Sequence, residues 1–257
     1  PEGQMGNSEV GHMNLGAGRI VYQDLAKINL AVANNTLAKE QVLVDAFTYA
    51  KENNKKVHFL GLVSDGGVHS HTSHLRGLIT ASQEYGLENV FVHAFTDGRD
   101  VDPKSGKQYI QDLEDFMAPT TAKLASVVGR YYAMDRDKRW ERVKLAYDLV
   151  VNGTGKPTQD AVASIEESYA KDVTDEFIDP LVVVDATNQP LATIQAEDVV
   201  IFFNFRTDRG RELTEALSQK DFHEQNMHKL PLYYVTLTNY DETYENVKVV
   251  YNKDNIT

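Results

Sequence analysis

The chain has 257 residues and a formal net charge of −12 at pH 7, with 42% hydrophobic and 25% charged residues. This length is enough for one large α/β domain or two smaller ones, and the acidic balance argues against a general nucleic-acid binder, which carries a basic face. The sequence contains no cysteine, which excludes disulfides and thiolate metal sites within it, and its apolar runs are far shorter than the roughly 20 residues that cross a bilayer.

Helix and strand patterns alternate along the chain from about residue 38. Apolar residues at helical spacing predict a helix over 38–53, and the apolar run that follows predicts a buried strand over 57–63. The same patterns predict further helices over 72–85, 105–117, 138–151, 159–169 and 207–217, and further strands over 90–95, 125–129, 181–184, 199–203, 232–237 and 247–251. Short, nearly continuous apolar strands that alternate with helices predict an α/β fold, a mostly parallel sheet with helices on both faces.

Two polar segments between these elements are expected to have structural roles only. The charged run 135–142 is predicted to form the solvated first turns of a helix, apart from Arg136. The segment NGTGKP at 152–157 is predicted to be a turn because it is rich in glycine and ends in proline.

Polar residues follow four of the predicted strands at their carboxyl ends, the edge where open α/β sheets bind ligands. Arginine presents a planar fork of donors that matches phosphate or carboxylate oxygens, so these loops together predict an anion-binding site. Taken singly, each loop is better explained by turn residues and surface ion pairs, whereas the four loops together favour the anion site. The candidate residues are His69 after the first of these strands, Arg99 and Asp100 after the second, Arg130 and Arg136 after the third, and Arg206 and Arg209 after the fourth.

Two of these residues have side chains that can move protons. Asp100 is a candidate acid or base on a substrate hydroxyl, and His69 is a candidate to bond a phosphoryl oxygen or transfer a proton. His69 also belongs to the segment HSHTSH, in which His71 and His74 lie three residues apart and could bind zinc with it. The alternative is that this segment only caps the helix that follows.

Ser8 lies in the glycine-rich segment GNSEVGH at 6–12. Serine is a weak nucleophile unless a base or a metal activates it. A helix after Ser8 would place it at a helix N-terminus, where backbone N–H groups favour a phosphate or a phosphoserine. An ordinary helix cap is the alternative interpretation of this segment.

Five separated motifs make the chain resemble the cofactor-independent (2,3-bisphosphoglycerate-independent) phosphoglycerate mutases of bacterial type. They are MGNSEVGH at 5–12, SDGGVHSH at 64–71, TDGRD at 96–100, GRYYAMDR at 129–136 and NFRTDR at 204–209, and the resemblance runs along essentially the whole chain. It implies an alkaline-phosphatase-like domain with two Mn²⁺ ions and a serine nucleophile, and an inserted phosphotransferase domain that orients the substrate. By this resemblance, residues 1–22 are a remnant of the phosphatase domain, 23–250 form the phosphotransferase domain, and 251–257 lead back to the missing part.

The resemblance also implies the reaction, which is the interconversion of 3-phosphoglycerate and 2-phosphoglycerate in glycolysis and gluconeogenesis through a phosphoserine intermediate. Ser8 would be the nucleophile and a metal ligand, and Asp100 would handle the hydroxyl protons of glycerate. The implied substrate-binding residues are His69, Arg99, Asp100, Arg130, Arg136, Arg206 and Arg209.

We expect the chain by itself to be inactive, because most ligands of the two Mn²⁺ ions lie outside it. We also expect a cytoplasmic monomer that binds phosphoglycerate weakly and binds neither nucleic acid nor membranes. Two other functions stay open from the sequence: a non-catalytic anion-binding or regulatory domain, and a zinc hydrolase that uses His69, His71 and His74.

Overall fold

An eight-stranded sheet lies at the centre of the structure, a computed structural model that describes residues 15–252 and their side chains from residue 22 onward. The sheet order is β4-β5-β3-β2-β1-β6-β7-β8, and the six strands from β3 to β8 in this order are parallel. β5 runs antiparallel to β3, and β4 is parallel to β5. The strands are β1 Val57–Leu62, β2 Val90–Thr96, β3 Ala122–Gly129, β4 Lys156–Thr158, β5 Leu181–Val183, β6 Val199–Phe202, β7 Tyr233–Thr236 and β8 Val247–Val249.

The helices connect the strands and cover the sheet. They are α1 Leu15–Ala33, α2 Gln41–Asn53, α3 Thr72–Glu84, α4 Gly106–Met117, α5 Arg130–Ala133, α6 Trp140–Asn152, α7 Ala161–Ala170 and α8 Arg211–Ser218, with short 3-10 helices at Leu37–Lys39, Asp175–Phe177 and His223–Gln225. Within residues 15–252, no helix combines the length and the apolar character needed to cross a bilayer. Helix α1 runs unbroken across residue 22, the predicted domain boundary, and that boundary stays a prediction.

Two hydrophobic layers hold the helices against the sheet, one on each face. Alternate residues of a strand point to opposite faces, so Phe59 of β1 packs in one layer with Phe47 of α2, and Leu60 packs in the other with Val143 of α6. All four side chains are fully buried, and burying each such side chain stabilises the fold by about 1.5–3 kcal/mol. The predicted α/β fold with helices on both faces is therefore confirmed.

The prediction of a turn over 152–157 was wrong at its end, where Lys156 begins the edge strand β4. Gly153 ends α6 with a φ of +67°, a left-handed conformation that glycine adopts without strain. The N–H of Lys156 then donates to Pro180 O over 2.9 Å and begins the pairing with β5. Pro157 follows in this strand, and proline is tolerated there because an edge strand leaves one row of N–H positions unpaired.

Candidate anion-binding site

The carboxyl ends of β3, β2, β1 and β6 lie side by side in the sheet, so the loops that follow them meet. Arg130, at the first position after β3, connects three of these loops. Its Nη1 donates to Asp97 Oδ1 over 2.9 Å and to Asp100 Oδ2 over 2.8 Å, and its Nη2 donates to His69 Nε2 over 3.1 Å. Arg130 is 3% exposed, so the sequence-predicted residues of three loops form one buried network around a single guanidinium.

Asp97 anchors this network, although the sequence analysis did not select it as a site residue. Its Oδ2 accepts from Ser64 Oγ over 2.7 Å, and its Oδ1 accepts from the backbone N–H groups of Arg99 and Asp100 over 3.1 and 2.9 Å. An aspartate that bonds the amides two and three residues ahead shapes its own turn. The Asp-Gly pair directly after β2 could have pointed to Asp97, because this pair is typical of tight turns. Gly98 has a φ of +64°, the left-handed conformation that such a turn uses.

His69 is held as a neutral imidazole. Arg130 can only donate, so His69 Nε2 accepts and the ring proton lies on Nδ1. Burial lowers the pKa of His69 well below its ordinary value, and the charge of Arg130 lowers it further. The Nδ1 atom is buried and has no hydrogen-bond partner among the side chains and backbone that the structure describes. His69 therefore keeps a buried N–H donor without an acceptor among the described residues.

Asp208 joins two of the predicted arginines across the site. Its Oδ2 accepts from Arg136 Nη1 over 3.0 Å, and its Oδ1 lies 3.3 Å from Arg206 Nε. Burial acts to raise the pKa of Asp208, but the charge of Arg206 and the other neighbouring cations outweigh it, and the pKa falls below its ordinary value. Asp208 is therefore ionised and fixes the mutual orientation of Arg206 and Arg136.

Arg209 completes the cluster from the loop after β6. Its Nη1 donates to Met134 O over 3.1 Å, which ties it to the loop that carries Arg136. Burial lowers the pKa of Arg209 to about 10, and the charges of Arg130 and Arg136 contribute to this shift. The part of this shift that comes from Arg130 and Arg136 reports a local excess of positive charge, in a protein whose net charge is −12. Such a site attracts an anion.

Arg99 and Arg136 form the outer edge of the cluster, with side chains 54% and 47% exposed. Arg99 Nη1 lies 3.5 Å from Glu176 Oε2. The segment that carries Glu176 approaches the site closely because Gly129 has no side chain. A Cβ on Gly129 would collide with the backbone carbonyl of Glu176. Sequence analysis missed Glu176, since it comes from a segment about 75 residues away from Arg99 with no motif of its own.

His71 and His74 have separate structural partners. His71 Nδ1 accepts from the N–H of Ser73 over 3.0 Å and so caps α3, as the alternative interpretation predicts. His74 is buried and its Nε2 lies 2.7 Å from Asn29 Oδ1. In the described part of the chain, no group of three or more His, Asp or Glu side chains is arranged to hold a metal ion. The predicted nucleophile and metal ligand Ser8 lies outside the described residues.

A mostly parallel α/β domain with arginines and a buried neutral histidine at the carboxyl ends of its central strands has the arrangement expected of an anion-binding domain. The sequence profile described as BPG-independent PGAM N-terminus (iPGM_N) matches residues 28–242. The chain belongs to this family, which confirms the resemblance seen in the sequence.

Curated relatives and a solved structure agree with this assignment. Proteins named 2,3-bisphosphoglycerate-independent phosphoglycerate mutase from Flavobacterium johnsoniae and Parabacteroides distasonis are 84% and 56% identical over all 257 residues, which cover 51% and 50% of those proteins. The chain therefore spans about half the length of the curated relatives it matches. A crystal structure of Leishmania mexicana phosphoglycerate mutase at low cobalt concentration superposes with a TM-score of 0.80 and 29% identity, covering 85% of this chain and 42% of that one.

Proposed function

We propose that the chain is the substrate-orienting, phosphotransferase part of a 2,3-bisphosphoglycerate-independent phosphoglycerate mutase and that it binds phosphoglycerate at the arginine cluster. Family membership supports this proposal, and one observation carries it. The buried Nδ1 of His69 has no hydrogen-bond partner in the described residues, and it belongs to a ring on which the charges of Arg206 and Arg209 act. A phosphate oxygen supplies the missing acceptor and the missing negative charge together.

The residues of the site have different tasks in this proposal. His69, Arg206 and Arg209 bind the phosphoryl group, and the exposed guanidinium groups of Arg99 and Arg136 remain accessible for the carboxylate of the ligand. Both protons of Arg130 Nη1 are used by Asp97 and Asp100, whereas Nη2 keeps a second N–H for a ligand oxygen. Arg130 therefore positions its neighbours and still belongs to the proposed substrate-binding set.

The proposed reaction transfers the phosphoryl group twice. Ser8 Oγ first forms a bond to phosphorus while the bond from phosphorus to the C3 oxygen breaks. The proton that Ser8 releases is restored to the C3 oxygen, which leaves phosphoserine and glycerate. The C2 hydroxyl oxygen of the reoriented glycerate then attacks the phosphorus, and its proton passes by way of Asp100 to the departing Ser8 Oγ. Asp100 suits this task because its carboxylate is 19% exposed and fixed by Arg130.

We also propose, from the resemblance, that the complete enzyme is a cytoplasmic monomer that uses two Mn²⁺ ions. These ions would supply Lewis-acid activation of the serine and of the phosphoryl group. The described residues offer no cluster of ligands for them, so we expect the chain alone to bind substrate without turning it over. Mutase activity of the purified chain saturated with Mn²⁺ would contradict this expectation.

Calorimetric titration of the chain with 3-phosphoglycerate tests the binding proposal. We expect one saturable site, weakened about tenfold, or about 1.4 kcal/mol, by Arg206→Lys, because lysine keeps the charge but loses the planar fork. Arg76→Lys is the matched control, since Arg76 lies exposed on α3 over the ring of Phe116. Absence of saturable binding contradicts the proposal, and equal affinity for inorganic phosphate favours a general anion-binding domain.

A further inference from the structure

Two buried acidic side chains, Asp135 and Glu212, lie behind the arginine cluster. Asp135 follows α5 and is 4% exposed, and Glu212 is in the first turn of α8 and is 7% exposed. The backbone N–H groups of residues 137–139 bond one carboxyl group or the other, which places the two groups side by side, and each acts on the pKa of the other. The sequence prediction of a solvated run over 135–142 was therefore wrong for Asp135, because a partner from a segment 77 residues away buries it.

The pair connects the loop that carries Arg136 to the helix that follows Arg209. Asp135 Oδ2 accepts from the backbone N–H groups of Asp137 and Arg139 over 3.0 and 2.9 Å. Glu212 Oε2 accepts from the N–H of Lys138 over 3.0 Å. The three amides lie in the turn directly after Arg136. The two carboxyl groups thus hold this turn against α8.

The contact between the two carboxyl groups requires a shared proton. Two ionised carboxylates in contact repel each other strongly, so one of them stays protonated. Glu212 Oε1 is buried and has no hydrogen-bond donor among the residues that the structure describes, so a negative charge on Glu212 would lack compensation there and the proton is assigned to Glu212. Burial, followed by the hydrogen bond with Asp135, raises the pKa of Glu212 to about 8.

Two neighbouring charged groups, Arg142 and Glu215, act on this pair. Arg142 of α6 lies 3.5 Å from Asp135 Oδ1 and stabilises that carboxylate as the ionised partner. Glu215, one turn further along α8, adds negative charge near Glu212 and favours its protonated form. Asp135 itself has a pKa below its ordinary value, because its hydrogen bonds and Arg142 outweigh the effect of burial.

We propose that Asp135 and Glu212 form a carboxyl clamp, a pair that shares one proton and thereby positions Arg136 and Arg209 for the ligand. The substrate part of this inference rests on the proposed function. Both members are positioning residues, since they act through the turn 136–139 and the start of α8. When the shared proton is lost, the two carboxylates repel each other and the turn 136–139 becomes less ordered. The side chain of Arg136 is then less well positioned for the ligand.

The direction of the pH effect follows from linkage. Glu212 has a higher pKa in the closed clamp than in an open one, so the closed form binds more protons. The clamp is fully stabilised below the ordinary pKa of a glutamate, near 4.3, and this stabilisation is lost as pH rises through about 8. Opening of the turn should therefore become more frequent between about pH 5 and pH 8 and level off above.

Amide hydrogen exchange of the chain, corrected for intrinsic exchange rates, tests the clamp without any ligand. We expect the protection of the Lys138 amide to fall by roughly three- to tenfold per pH unit between pH 5 and pH 8. Glu212→Gln, which keeps an acceptor for Lys138 and a donor for Asp135, should remove this dependence. Glu141→Gln, which removes an exposed carboxylate from α6, should retain it. A flat wild-type profile, or equal slopes in wild type and Glu212→Gln, overturns the proposal.

Binding of 3-phosphoglycerate tests the positioning role. Wild type and Glu212→Gln should bind equally at pH 5.5, and the wild type should bind several-fold more weakly than the variant at pH 8.5. The phosphate group of the ligand also titrates in this pH range, but it affects binding to both proteins equally and so does not change the ratio of their affinities. A ratio that does not change with pH overturns the positioning role. If neither protein binds 3-phosphoglycerate at any pH, the proposed function fails. The hydrogen-exchange measurement on Lys138 then decides by itself whether the two carboxyl groups share a proton.

Discussion

His69 accepts a hydrogen bond from Arg130 through Nε2 over 3.1 Å, which leaves its proton on the buried Nδ1. This relationship fixes both the charge and the tautomer of the imidazole without a carboxylate partner in close contact, since Asp100 Oδ2 is 3.8 Å away. A neutral histidine next to cations is an uncharged donor for an anion. It is the feature on which the binding proposal most depends.

Replacement of His69 should therefore weaken ligand binding. We expect His69→Ala to raise the dissociation constant for 3-phosphoglycerate by about tenfold or more, because it removes one hydrogen bond to a charged group, worth about 1.5–3 kcal/mol. Calorimetry measures this change. His223→Ala, at an exposed histidine, is the control and should bind like wild type. Unchanged affinity in His69→Ala would show that Nδ1 does not contact the ligand.

Asp100→Asn should separate binding from catalysis in a complete enzyme of this family. The asparagine oxygen can still accept from Arg130 Nη1, so we expect substrate affinity to change little. The amide cannot take up the hydroxyl proton, and turnover should fall by roughly 10²–10⁴. Steady-state mutase kinetics give both quantities. Retained turnover in this variant would assign proton transfer to another group.

A chain of buried polar groups crosses the sheet away from the site and should make the fold sensitive to acid. His58 lies between Asp198 Oδ2 and His93 Nε2, each 2.9 Å from its ring nitrogens, and His93 Nδ1 lies 2.8 Å from Ser126 Oγ. Burial lowers the pKa of His93 well below its ordinary value, and His58 adds to this effect. His93 thus stays neutral in the folded protein, whereas it is protonated in the unfolded chain below about pH 6.5.

The His93→Gln variant tests whether His93 makes the stability of the fold depend on pH in this direction. The unfolded state binds more protons at His93 than the folded state does. The contribution of His93 to the stability of the fold is therefore lost as pH falls below about 6.5. We expect the variant's deficit in unfolding free energy, relative to wild type, to be about 2 kcal/mol smaller at pH 5 than at pH 8. Urea denaturation at both pH values measures the deficit. A deficit that does not change with pH would mean that His93 titrates normally in the folded state.

Gly129→Ala tests the close approach of the Glu176 segment to the site. The new Cβ would meet the backbone of Glu176 and of Ile178, so we expect a loss of stability of about 2–4 kcal/mol. Gly67→Ala is the control. Gly67 has a φ of +74°, but a methyl group placed on it would meet no atom within 4 Å, so only backbone strain of about 1–2 kcal/mol applies. Equal losses in the two variants would argue against a steric role for Gly129.

The sequence predicts the central strands well because they are buried on both sides and form uninterrupted apolar runs. β1 and β6 end within one residue of their predicted bounds. The prediction failed where the signal is short or contradictory. β4 has three residues and contains Pro157, and the four-residue helix α5 lies in a segment that the sequence predicts as a loop. Neither length is sufficient for a periodic pattern to stand out.

The candidate site was predictable only as far as its motifs extend. Clusters at strand ends identified the arginines, since parallel strands deliver their following loops to one edge. Apart from Asp100, the carboxylates that organise those arginines were missed. Asp208 lies within a selected motif but was not selected itself, and Glu176 and Glu212 come from segments whose proximity depends on the tertiary fold. Burial of Asp135 was likewise invisible, because a charged helix start is usually solvated.

A crystal structure of this chain grown with 3-phosphoglycerate is the sharpest test of the proposed binding site. We expect a phosphate oxygen within hydrogen-bond distance of His69 Nδ1 and contacts from Arg206 and Arg209 to the same phosphoryl group. A ligand bound elsewhere, or a His69 Nδ1 that remains without a ligand partner at saturating 3-phosphoglycerate, would contradict the proposed site.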